Sequence, residues 1–91
     1  MAFTLDGPWR TDPRVAIRPE RFGALLYHFG TRRLSFVKSP VLHGVLQQLE
    51  QAPTAREACR RAGVPDAELA TYERALAGLA ESRMIVPRDA A

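Results

Sequence analysis

The side chains with reactive potential are few: one cysteine, Cys59, two histidines, His28 and His43, ten carboxylates and thirteen basic groups in 91 residues. A lone cysteine closes no internal disulfide, and two scattered histidines do not build a metal centre. Nucleophilic catalysis needs a base held within reach of the nucleophile. Neither His28, on an alternating run, nor His43, early in a helical one, stands in such a pattern. Cys59 lies on an apolar stripe, where a thiol behaves as a small hydrophobe. The inventory implies no catalytic residue, no metal and no cofactor. A core this small favours a binding module over an enzyme with a pre-organised site.

Binding chemistry is then carried by charge and by backbone. Residues 1–38 hold seven basic side chains against three carboxylates, a net +4, whereas the remainder is −1, within a total of +3 and a pI near 9.8. The basic footprint therefore belongs to the N-terminal half. No apolar run approaches the ~20 residues of a membrane span, and no signal pattern opens the chain, which places it in the cytoplasm.

The elements that must position these groups follow from periodicity. Residues 1–13, with Gly7, Pro8 and Pro13, read as an extended arm pinned by Trp9. Val15 and Ile17 alternate with Ala16 and Arg18. Leu25, Tyr27 and Phe29 alternate with Ala24, Leu26 and His28, and Leu34 and Phe36 with Arg33, Ser35 and Val37, giving a three-stranded meander. Gly30-Thr31-Arg32 offers its glycine for a positive φ in the second turn. Ser39-Pro40 starts a helix with Leu42, Val45, Leu46 and Leu49 on one face, running to about Gln51. Thr54-Ala55-Arg56-Glu57 reads as a capping box for a short helix with Ala55, Ala58, Cys59 and Ala62 inward, closed by Gly63. Pro65 opens a third helix bearing Leu69, Tyr72, Leu76 and Leu79, to about Ser82. Met84-Ile85-Val86 is a brief apolar remnant, Pro87 ends the ordered chain, and residues 88–91 are a tail. The fold class is α+β, a winged helix-turn-helix-like domain over residues 14–87 with its sheet in front.

A helix-turn-helix suggests duplex DNA, and a small winged-helix regulator is the alternative reading. The third helix argues against it, with Arg74 alone against Asp66, Glu68, Glu73 and Glu81; counterion release does not drive such a contact. The third strand offers more. As a sheet edge it has unsatisfied N–H and C=O groups, with Arg32, Arg33 and Lys38 at its ends. Those charges either attract an acidic peptide or simply block self-pairing, and the residues alone leave both open.

The run Arg18-Pro19-Glu20-Arg21-Phe22-Gly23-Ala24-Leu25, continued by Tyr27, Phe29, Gly30 and Thr31 and ending at Met84-Ile85-Val86-Pro87, resembles the peptide chaperones of the mycofactocin system, relatives of the chaperone of pyrroloquinoline quinone biosynthesis. The resemblance spans about Phe3 to Arg88. It implies a non-catalytic recognition element for a ribosomally made peptide in redox cofactor biosynthesis. Such an element holds the precursor's leader and presents its terminal Val-Tyr pair to a radical S-adenosylmethionine enzyme. No Cys-x-x-x-Cys-x-x-Cys motif is present, as befits a partner of that enzyme. By the same resemblance the leader adds a strand beside Arg33, Leu34, Ser35, Phe36, Val37 and Lys38, facing Leu69, Tyr72, Glu73 and Leu76 of the third helix. Arg18-Pro19-Glu20 either shapes the first hairpin or docks the enzyme. The expected state is a monomer or a weak edge-paired dimer, without nucleic acid or membrane.

Overall fold

The computed structural model of the chain describes residues 3–88. In order they form β1 (Trp9–Thr11), β2 (Val15–Glu20), β3 (Gly23–His28), β4 (Leu34–Val37), α1 (Pro40–Gln48), α2 (Ala55–Arg61), a 3-10 turn (Asp66–Glu68), α3 (Leu69–Glu81) and β5 (Ile85–Pro87). This is an α+β fold with three helices. The meander is present as an antiparallel sheet in the order β2-β3-β4.

Alternation alone does not say which row of a strand is buried. In β3 it is the row of Ala24, Leu26 and His28, each 0% exposed. These residues face α1, whose Leu42, Val45 and Leu46 are buried, and they pair with Ile17 of β2 and Val37 of β4 on the same side. The bulkier row, Leu25 and Tyr27, faces out together with Leu34 and Phe36.

The sheet count differs from expectation. β1 and β5 form a second, two-stranded antiparallel sheet, Trp9 opposite Pro87 and Thr11 opposite Ile85. Residues 9–11 of the expected extended arm are thus a strand. Trp9 is 3% exposed, packs on Phe3 at 4.9 Å between ring centroids, and donates its indole N–H to the Thr4 carbonyl at 2.9 Å. The carbonyls of Leu5 and Gly7 accept the Arg56 and Ala55 N–H groups at 2.8 and 3.1 Å, two donors that the start of α2 leaves free. Nor does order stop at Pro87. Arg88 donates from its backbone to Pro8, and its guanidinium reaches the Leu49 and Glu50 carbonyls at 2.8 Å, closing the C-terminal end of α1. Residues 89–91 lie outside the described residues. Both shortfalls have one cause: a three-residue strand is too short to show a period, and its partner lies at the far end of the chain.

Local signals held unevenly. Ser39 caps α1 through the Leu42 N–H at 3.1 Å, and Thr54 caps α2 through the Glu57 N–H at 3.1 Å. The capping box is only half made. The Glu57 carboxylate turns to the guanidinium groups of Arg60 and then Arg61, which outweigh burial and bring its pKa down to about 2. Gly63 terminates α2 with φ +93°, as expected. Pro65 begins a 3-10 turn rather than α3 itself. In the β3–β4 turn the left-handed residue is Arg32, φ +63°, rather than Gly30. Gly30 is needed for space: a Cβ there would stand 2.8 Å from His28 Cε1 and 3.0 Å from an Arg14 nitrogen.

Candidate functional site

Which groups the sheet leaves open can be read from its ladder. The His28 N–H donates to the Arg33 carbonyl at 2.9 Å. Bonded pairs recur every second residue between antiparallel strands. Leu26 with Ser35 and Ala24 with Val37 are therefore bonded pairs, while Tyr27–Leu34 and Leu25–Phe36 are not. The N–H and C=O groups of Ser35 and Val37 are used by β3. Those of Leu34 and Phe36 point away from the sheet and have no backbone partner among the described residues. β4 is an open edge of about four residues, with the exposed cations Arg33 and Lys38 at its ends.

The residues expected to flank that edge are not equivalent. Leu34 and Phe36 are exposed, Ser35 is half-buried, and Val37 at 2% belongs to the core. On α3, Leu69 and Tyr72 are half-buried against the core, Glu73 is exposed, and Leu76 is fully buried. Val37 and Leu76 are thus core residues, with their side chains closed off from the surface. α3 approaches the edge at its C-terminal end, where a cleft of about 320 Å³ is lined by Thr31 and Arg33 on one side and Glu81, Ser82 and Arg83 on the other.

The segment Arg18–Leu25 forms the tip of the β2–β3 hairpin, with Glu20 opposite Gly23 and only Arg21 and Phe22 in the loop. Neither loop residue takes the positive φ that a two-residue hairpin prefers; Gly23, at φ +147°, absorbs the twist. Its missing side chain also admits the next strand. A Cβ on Gly23 would lie 2.1 Å from the Val37 carbonyl oxygen and 2.8 Å from the Ser39 nitrogen. Gly23 and Ala24 therefore set how closely β4 and the start of α1 pack. Arg18 pairs with Glu20 at 2.9 Å, and Phe22 stacks toward Phe36 at 6.3 Å.

His28 fixes the other end. Its Nδ1 accepts the N–H groups of Gly30 and Thr31 at 2.9 and 3.1 Å, which places the ring proton on Nε2, facing Asp12 Oδ2 at 3.6 Å. Asp12 is 4% exposed; the Arg14 guanidinium, against the opposing effect of burial, holds its carboxyl below the ordinary range. The pair ties the β1–β2 loop to the β3–β4 turn, a structural role. Burial pushes the Cys59 thiol up, and His43 lies half-buried on α1. Among the described residues no group of side chains is arranged to hold a metal ion.

The sequence profile of the peptide chaperone MftB family matches residues 8–86. The chain belongs to the peptide chaperone MftB family. It is 54% identical over 89 residues to the peptide chaperone MftB of Mycobacterium ulcerans, covering 98% of this chain and 82% of that protein. To the Mycobacterium tuberculosis protein of the same name it is 55% identical over 87 residues, 96% of this chain and 80% of the relative. The Mycolicibacterium smegmatis protein is 49% identical over 87 residues, 96% and 85%. No solved structure matches the chain. A peptide chaperone MftB is not an enzyme: its role is to hold a peptide rather than transform it. Sequence reasoning missed two features: the second sheet, and the outward row of large apolar side chains on β3 and β4. The second was visible in the alternation and needed only the choice of face.

Proposed function

We propose that this chain holds the leader of the mycofactocin precursor peptide as an added strand along β4 and presents the remainder to a radical S-adenosylmethionine enzyme in the cytoplasm. The observation that carries this is the pair of unused backbone donor–acceptor sets at Leu34 and Phe36. An extended peptide satisfies both through main-chain hydrogen bonds, and flanking side chains supply selectivity. Arg33 and Lys38 attract carboxylates at the two ends and oppose pairing of two copies, which favours a monomer. On this reading a leader that leaves β4 through the cleft at Glu81, Ser82 and Arg83 runs back along α3 toward Glu73, Tyr72 and Leu69, with Leu76 beneath them, and Val37 anchors the strand itself. The corner from α2 through Gly63 and Pro65 into α3 serves as a helix-turn-helix with the β2–β3–β4 sheet in front, in the winged arrangement. The exposed face of α3 and the turn before it is acidic, Asp66, Glu68, Glu73 and Glu81 against Arg74, which suits a polyanion badly.

The test is a calorimetric titration of a synthetic leader peptide, followed by amide exchange. The Leu34 and Phe36 amides are expected to gain protection on binding while Ser35, already bonded, changes little. A bound leader with no gain at either amide refutes strand addition.

A further inference from the structure

Among the described residues no helix or strand covers the outward face of the β2–β3–β4 sheet. Leu25 and Tyr27 of β3 and Leu34 and Phe36 of β4 run along it, with Phe22 and Phe29 in the turns at its two ends. Phe22, Leu34, Phe36 and Phe29 are 40%, 56%, 61% and 63% exposed. Single exposed hydrophobics are ordinary; a contiguous set on one face, rimmed by charge, marks contact with another macromolecule. The rim has one sign. Arg21, Arg32 and Lys38 make no ion pair among the described residues, and the one carboxylate on this face, Glu20, is taken by Arg18.

We propose that this face docks the peptide-modifying enzyme, through a patch on that enzyme in which carboxylates surround an apolar centre; the assignment rests on the reading of the chain as a leader carrier. Charge complementarity selects an acidic partner. A second copy of the chain is the wrong occupant, because a two-fold contact on this face would set the same unpaired arginines and Lys38 against their own counterparts. Single-stranded RNA is served by cations beside open aromatic platforms. Here the rings are turned onto one another, Tyr27 edge-on to Phe29 at 5.0 Å and 83°, Phe22 tilted to Phe36 at 49°, with Leu25 and Leu34 between them.

Position supplies the functional sense. Side chains of a strand added at β4 alternate between the two faces, so every second leader residue would extend the row of Leu34 and Phe36. An enzyme seated on this face would touch chaperone and leader together. By linkage, each would then raise the other's affinity for the chain.

Two variants at opposite ends test this with the full chain, purified enzyme and synthetic leader: Arg21→Glu with Phe22→Ser, and Phe29→Ser. All three positions are exposed, and unchanged thermal melting checks the fold; Arg21→Glu alone replaces the first pair should it not fold. Both variants are expected to keep leader affinity within about twofold and to weaken enzyme binding at least tenfold, with parental enzyme binding falling as salt is raised. Three results overturn the proposal. One is enzyme binding within twofold of the parent in the variants, or no enzyme binding by the parent at all. Another is tighter, salt-dependent binding of a single-stranded RNA 12-mer. The third is a parental dimer in gel filtration that Phe29→Ser abolishes. If the enzyme docks as expected while the leader does not bind, docking stands and the leader reading falls.

Discussion

Proline at position 36 removes one donor from the open edge of β4 and leaves the internal ladder intact. The Phe36 N–H points away from β3, and the extended conformation that proline requires of the preceding residue is the one Ser35 has in the strand. A leader carbonyl left facing that position without a donor costs about 1–3 kcal/mol, about 5- to 150-fold in Kd. Phe36→Ala sets the baseline, since it loses the side chain and keeps the donor; a cross-strand side-chain pair contributes about 0.2–1 kcal/mol, at most about fivefold. Phe36→Pro should therefore bind leader at least about fivefold more weakly than Phe36→Ala, with both melting near the parent. Proline one residue earlier behaves differently. Ser35 bonds Leu26, which is 0% exposed, so its proline breaks the ladder inside the fold. A loss of about 3 kcal/mol there lowers Tm by on the order of 10–25 °C for a domain of this size. Calorimetry and thermal melting on the three variants decide the matter. Equal leader affinity in Phe36→Pro and Phe36→Ala would refute the reasoning, and so would a Ser35→Pro that melts like the parent.

Gly23→Ala should lower Tm by more than about 10 °C, because its Cβ would meet the Val37 carbonyl at 2.1 Å. Gly44→Ala on α1, where the nearest atom is 3.6 Å away, should instead gain about 0.4–1 kcal/mol, and melting curves compare the two. Leu76→Ala should cost about 2–5 kcal/mol of stability by chemical denaturation, whereas Tyr72→Ala should keep the fold and weaken leader binding in calorimetry. Asp12 titrates below its ordinary value in the folded chain, so its stabilisation is present above about pH 4 and is lost as pH falls through the lowered folded pKa. Asp12→Asn should thus melt below the parent at neutral pH, with the gap closing in acid; a gap independent of pH would disprove the link.

What the sequence discloses here is what lies close along the chain. Ser39-Pro40, the Leu42–Leu49 stripe and Thr54 announce two helices because caps and periods are local, and the meander shows because its strands follow one another. Register is not local. Nothing near Leu25 says that Leu26 rather than Leu25 faces α1; that is settled by Ile17 and Val37 pairing on the same side. The edge of β4 was legible as an edge, yet which of Ser35 and Phe36 holds the free N–H depends on the single bond from His28 to Arg33. Arg32 taking the left-handed turn position ahead of Gly30 was hidden likewise, because His28 and Arg14 crowd the glycine from other elements.

The pairing of β1 with β5 also has a kinetic consequence. Neighbouring elements build the rest of the fold, but this sheet joins residues 9–11 to residues 85–87. Bringing such distant segments together costs about 4 kcal/mol of loop entropy beyond a constant, which nothing recovers until the intervening chain is compact. The clasp should then close after the meander and helices have assembled and be the first part to open. Transient opening would uncover Trp9 and release the Arg88 guanidinium from the end of α1, while β3 stays bonded on both sides. Native-state hydrogen exchange should therefore find the Arg88 and Asp12 amides, which donate to Pro8 and Met84, exchanging well ahead of Leu26.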